Sequence, residues 1–162
     1  MRQVALSMLL GMVALVIVGC DRQPELSASE LAHALGITAW SVQLPSDLPE
    51  DADVRLVLKH ADGTETGGGG FIGPEPGQVM RVFLWNDRHE ERYRYALILQ
   101  SGGSMRGAMK NPFEGDSRLI KFQQRIARPG DFLMKGAEDE QISNDNALHE
   151  GEYGWTIQID DR

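Results

Sequence analysis

Gln78-Val79-Met80-Arg81-Val82-Phe83-Leu84-Trp85, the polar Asn86-Asp87-Arg88-His89-Glu90, and then Arg92-Tyr93-Arg94-Tyr95-Ala96-Leu97-Ile98-Leu99-Gln100 form the stretch whose reading decides the fold. Tyr93, Tyr95, Leu97 and Leu99 fall at every second position, so an extended chain puts all four on one face. Two such runs joined by a short polar turn predict a long β-hairpin.

The same period of two extends in both directions. Beyond Gly102-Gly103, Ser104 to Lys110 continues the meander. Upstream, Trp40, Val42 and Leu44 alternate with Ser41 and Gln43. After a loop holding Pro45 and Pro49, Val54, Leu56 and Leu58 alternate with Arg55 and Lys59. Asp62-Gly63 is a hairpin signal, so Thr64 to Thr66 should start a returning strand. Leu119 to Phe122 and Trp155 to Ile159 predict later strands, whereas residues 113–154 otherwise weaken into loops with room for one short helix. There is no internal repeat. Short alternating strands punctuated by Gly and Pro predict an all-β fold, a single β-sandwich or barrel-like domain. A short N-terminal helix precedes it: Ser27 and Glu30 match a capping box, Leu26 and Leu31 a hydrophobic staple, and Gly36 a C-terminal stop.

The first twenty residues have a different logic. Met1-Arg2-Gln3 carries one positive charge, and Val4 to Val18 follows without any charge. That run is short of the ~20 residues a transmembrane helix needs and has the form of a secretory signal. Its end, Ile17-Val18-Gly19-Cys20, resembles the lipobox of bacterial lipoproteins. The resemblance covers only the signal and its cleavage site. It implies that residues 1–19 are removed, that Cys20 is the lipidation site and first mature residue, and that acyl chains such as palmitate tie the protein to the membrane. A thiolate is the side-chain nucleophile suited to taking up the lipid, and two or more acyl chains give stable anchoring. Asp21 resembles the inner-membrane retention signal of enterobacterial lipoproteins, which favours the inner membrane. Residues 20–26 then form a short tether containing Pro24, and 27–162 a β-rich extracytoplasmic domain facing the periplasm or exterior.

Composition narrows the partners. The full chain carries a formal net charge of −8; the removed segment holds one Arg and no acid, so the mature chain is more acidic still. An acidic surface repels phosphate backbones and anionic head groups, which argues against nucleic acid. Cys20 is the only cysteine, so no disulfide forms within one chain, and the apolar core has to hold the domain together.

Several motifs resemble sites and are read otherwise. Ala32, Gly36 and Val42 have helix-turn-helix spacing, but no Lys or Arg lies between Gln23 and Val54 and Pro45 would cut a recognition helix. A packing helix followed by a strand is the better reading. Gly68, Gly70 and Gly73 fit G-x-G-x-x-G, yet Pro74 and Pro76 follow where a helix should start. The run Gly67, Gly68, Gly69, Gly70 is expected to be a mobile loop, with a bulged strand or a binding contact as alternatives. Gly102-Gly103-Ser104 lacks the second glycine of a nucleophile elbow. His33, His60, His89 and His149 are scattered, and no cysteine remains for a zinc set. Glu138-Asp139-Glu140, Asn144-Asp145-Asn146 and Glu150 offer oxygen ligands without calcium-loop spacing and are read as a solvated face. Trp85 and Tyr93, with the glycine run, are the candidate binding residues; aromatics alternating along strands also serve as core.

No catalytic constellation, metal site or cofactor is expected. The sequence predicts a lipid-anchored, non-catalytic interaction or assembly module with the membrane and an envelope protein as partners. The alternative is small-ligand or glycan binding by an aromatic-lined β domain.

Overall fold

A computed structural model describes residues 32, 34–87, 89–90, 92–110, 118–121 (backbone only), 126–137 and 142–160. The chain divides into two units, 1–35 and 36–162. Of the first, Ala32 and Ala34 are helical. Cys20, Asp21 and the capping residues Ser27 and Glu30 lie outside the described residues. Gly36 has φ of 67°, the left-handed conformation of a helix stop.

The second unit is all-β. Its strands are β1 (Thr38–Gln43), β2 (Asp53–His60), β3 (Glu65–Ile72), β4 (Val79–Asp87), β5 (Arg92–Leu99), β6 (Ser104–Lys110), β7 (Arg118–Lys121), β8 (Phe132–Ala137) and β9 (Glu152–Asp160). They form two antiparallel sheets, a four-stranded one ordered β1-β4-β5-β6 and a five-stranded one ordered β3-β2-β9-β8-β7. The expected hairpin is β4–β5, with Leu84 opposite Tyr95 and Val82 opposite Leu97. Asp62-Gly63 turns β2 into β3: Gly63 has φ of 84°, and the Thr64 N–H and hydroxyl both donate to the Asp62 carboxylate.

The inner faces meet in one core. Val42, Val82, Leu84, Tyr93, Tyr95 and Leu97 come from the four-stranded sheet, and Val54, Leu56, Leu58, Tyr153, Trp155 and Ile157 from the other. Tyr93 of β5 meets Trp155 of β9 across the interface, ring centroids 4.8 Å apart. The sheets also touch along two seams. At one, Ala127 exchanges backbone hydrogen bonds with Ser41 and Gln43 of edge strand β1. At the other, β3 lies beside β6, and the Gly69 N–H donates to the Tyr95 hydroxyl. The two sheets form a sandwich.

Two expectations are corrected. Gly67 to Gly70 is not a loop but the middle of β3. Arg55 pairs with Gly70 and Val57 with Gly67, so Gly68 and Gly69 together face Leu56 and form a bulge. The missing side chains are what allow it. A Cβ on Gly70 would strike the Val54 carbonyl and Arg55, and one on Gly69 would occupy the space of Met105 and Tyr95. Secondly, β8 lies within the 113–154 stretch read as loop and short helix. Its Phe132-Leu133-Met134-Lys135-Gly136-Ala137 is buried throughout, so it shows no alternation of polar and apolar residues.

Candidate functional site

The candidate residues do not converge. Tyr93 points into the core, 4 % exposed, while Trp85 lies on the outer face of the same sheet, half-buried. Burial pushes the Tyr93 phenol up to about 12, so it stays protonated. Gly67 to Gly70 belong to the β3–β6 seam. The G-x-G-x-x-G match is likewise strand and following turn, and Gly102-Gly103-Ser104 is the β5–β6 turn. Val42, expected in a strand despite its helix-turn-helix spacing, is in β1.

The densest polar cluster was not anticipated. Lys135 of β8 is fully buried (0 %) on the outer face of the five-stranded sheet, beneath the 142–149 loop. Its Nζ lies 2.7 Å from Glu152 Oε2 and donates to the Ala147 carbonyl (2.5 Å), the Ser143 carbonyl (3.2 Å) and Ser143 Oγ (2.5 Å). Glu152 also accepts the Ser143 and His149 backbone N–H groups. Asn146 Oδ1 accepts the Phe132 N–H. Burial pushes the Glu152 carboxyl up, but hydrogen bonds from Lys135, Ser143 and His149 together outweigh it and hold the group at about 2. The His149 imidazole and the Ser143 hydroxyl hold Asp145 at about 2 as well.

A lysine beside a serine hydroxyl invites comparison with a Ser–Lys catalytic pair, in which a neutral amine takes the serine proton. Here the amine faces acceptors on every side, an ammonium's surroundings. The Ser143 hydroxyl itself points at Asp145 (2.8 Å) and Glu152 (3.1 Å). What this arrangement does chemically is clamp a loop to the sheet. The signal for it was a lone lysine inside an apolar run, Leu133-Met134-Lys135. Of the acidic stretch considered for calcium, Asp145 is engaged by Ser143 and His149, and Glu138 to Glu140 lie outside the described residues. Among the described residues, no three His, Asp or Glu side chains gather as a metal site.

The outer face of the four-stranded sheet is built differently. Strand register sets its side chains in rungs: Ser41–Arg81–Ile98–Ser104, then Ala39–Phe83–Ala96–Arg106, then Trp85–Arg94–Ala108, then Asp87–Arg92–Lys110. Arg94 is paired with Asp87 (2.7 Å) and Glu90 (2.9 Å). Arg81, Arg92, Arg106 and Lys110 are exposed and make no ion pair among the described residues. Phe83 and Trp85 lie half-buried between them. At one corner an open depression of about 420 Å³ is lined by Ser41, Val79, Arg81, Ile98, Leu99 and Gln100. By contrast, on the five-stranded sheet Arg55 pairs with Asp160 and Lys59 with Glu65.

No helix among the described residues is long and apolar enough to cross a membrane. No family model, curated protein or solved structure matches the chain.

Proposed function

We propose that the chain is a lipid-anchored cell-envelope protein whose β-sandwich is a non-catalytic interaction or assembly module acting through its surface. The observation that carries the second half is the burial of the aromatic residues between the sheets. Tyr93, Tyr95, Tyr153 and Trp155 are spent on packing. They do not line an open groove. The first half rests on Ile17-Val18-Gly19-Cys20 and on Asp21, which favours the inner membrane. Among the described residues, the small-ligand or glycan alternative has the depression beside Arg81 to use, without the core aromatics.

The test is crosslinking in intact cells with the full-length protein, followed by identification of captured proteins, alongside Cys20→Ala. The proposal expects a reproducible envelope partner whose capture falls when the anchor is removed. A protein that fractionates identically with and without Cys20 and captures no envelope protein would overturn it.

A further inference from the structure

We infer that the outer face of the β1-β4-β5-β6 sheet is a membrane-docking surface that lies against the anionic head groups of a phospholipid bilayer. The inference rests on the proposed anchor only for its effective concentration; the surface itself is read from strand register.

Charge sets this face apart. In a chain of net charge −8, this one face gathers Arg81, Arg92, Arg106 and Lys110 without acidic partners among the described residues, and its one strand acid, Asp87, is consumed by Arg94. Overall acidity repels head groups at long range, but the local potential of a segregated basic face decides how the domain lies once it is at the surface. Among the described side chains the five-stranded sheet offers no such surface: Arg55, Lys59 and Lys135 are each paired, and its outer face is partly covered by the 142–149 loop through Lys135.

The residues between the cations suit a bilayer surface as well. Trp85 and Phe83 sit mid-sheet, and an amphipathic indole flanked by arginines suits the head-group layer. Arg81 and Ser41 border a depression whose other walls include Val79 and Ile98. A phosphodiester could be held by the guanidinium and hydroxyl while its glycerol carbons touch the aliphatic wall. The face is also within reach of the proposed anchor. β1 is an edge strand of this sheet and begins at Thr38. Even fully extended, the chain from Cys20 would span at most on the order of 60 Å, which keeps the bilayer at high effective concentration.

The full-length lipidated protein is reconstituted on phosphatidylcholine vesicles and on vesicles of phosphatidylcholine with about one-third phosphatidylglycerol, each containing brominated lipid. Trp40 and Trp155 are 5 % and 0 % exposed, so lipid quenching of tryptophan emission reports Trp85. The inference predicts that the protein floats with both vesicles but is quenched only on the anionic ones. Quenching should vanish in Trp85→Phe and fade in 0.5 M salt. Each of Arg81→Gln and Arg106→Gln should lower the docked-to-undocked ratio roughly fivefold, with circular dichroism unchanged. Floating without quenching, or equal quenching on both vesicles, overturns the docking face and leaves the anchor standing. Neither floating nor quenching overturns both. Absence of quenching together with a shift of Trp85 emission on adding poly-L-glutamate assigns the face to an acidic protein and also overturns the inference.

Discussion

Lys135→Met tests whether the buried cluster is a clamp. The substitution keeps the length and apolar stem of the side chain and removes the ammonium. Glu152, 4 % exposed, would then be a carboxylate in the interior without its countercharge, although the Ser143 and His149 N–H groups still donate to it. The carbonyls of Ser143 and Ala147 would each lose a donor. Breaking a buried pair by removing one partner costs about 3–5 kcal/mol. The surviving donors to Glu152 put the carboxylate's share at the low end, and the two carbonyls bring the total back toward the middle, about 4 kcal/mol. That is a large part of the 5–15 kcal/mol typical of a domain. Adding Glu152→Gln removes the stranded charge while its amide oxygen still accepts from Ser143, so the double variant should recover about 1–2 kcal/mol relative to Lys135→Met. The assay is urea unfolding of the full chain followed by two probes, with the m-value checked for constancy. A loss below about 1 kcal/mol in Lys135→Met, or a double variant less stable than the single one, would refute the clamp. It would leave an amine free enough to be considered as a base.

Further outcomes follow from the same geometry. Glu152 sits at about 2 against an ordinary 4.5, so its contribution to stability is complete above pH 4.5 and is lost as pH falls toward 2; acid titration of unfolding should show this fall in the wild type and a shallower one in Glu152→Gln. Gly70→Ala pushes a Cβ into the Val54 carbonyl, which cannot rotate away, and should cost several-fold more than Gly63→Ala. The latter has open space around it and only the left-handed φ to strain, about 1 kcal/mol; thermal unfolding of the two variants makes the comparison. Tyr95→Phe leaves the Gly69 N–H without its acceptor and should cost about 1–2 kcal/mol, with hydrogen exchange accelerated at Gly69 and not at the β4–β5 turn.

The strands that alternate were legible in the sequence, and those that do not were missed. β4 and β5 have one face in the core, and β9, although buried on both faces from Glu152 to Ile157, keeps polar or small residues on its outer face, so period two survives in their residues. β8 is buried on both faces, and its single polar residue, Lys135, is satisfied by a partner seventeen positions away that no local pattern reveals. The glycine run misled because flexibility and close approach select the same residue; only the facing Tyr95, Met105 and Val54 carbonyl distinguish them. Trp85 and Tyr93 were grouped as aromatics although they lie an even number apart in a hairpin whose turn reverses the chain, and the observed pairing of Asn86 with Tyr93 sends them to opposite faces. The segregation of Arg81, Arg92, Arg106 and Lys110 is present in the parity of the three strands, but it becomes a surface only once register aligns them.

Membrane anchoring of this domain through Cys20 is proposed from the lipobox-like Ile17-Val18-Gly19-Cys20. The most direct measurement is the intact mass, with N-terminal peptide mapping, of the protein extracted from membranes of the cells that make it. The expected chain begins at Cys20, with residues 1–19 gone and diacylglycerol and acyl mass on that residue. An unmodified Cys20, whether in a chain that retains residue 1 or in one cleaved elsewhere, would contradict it.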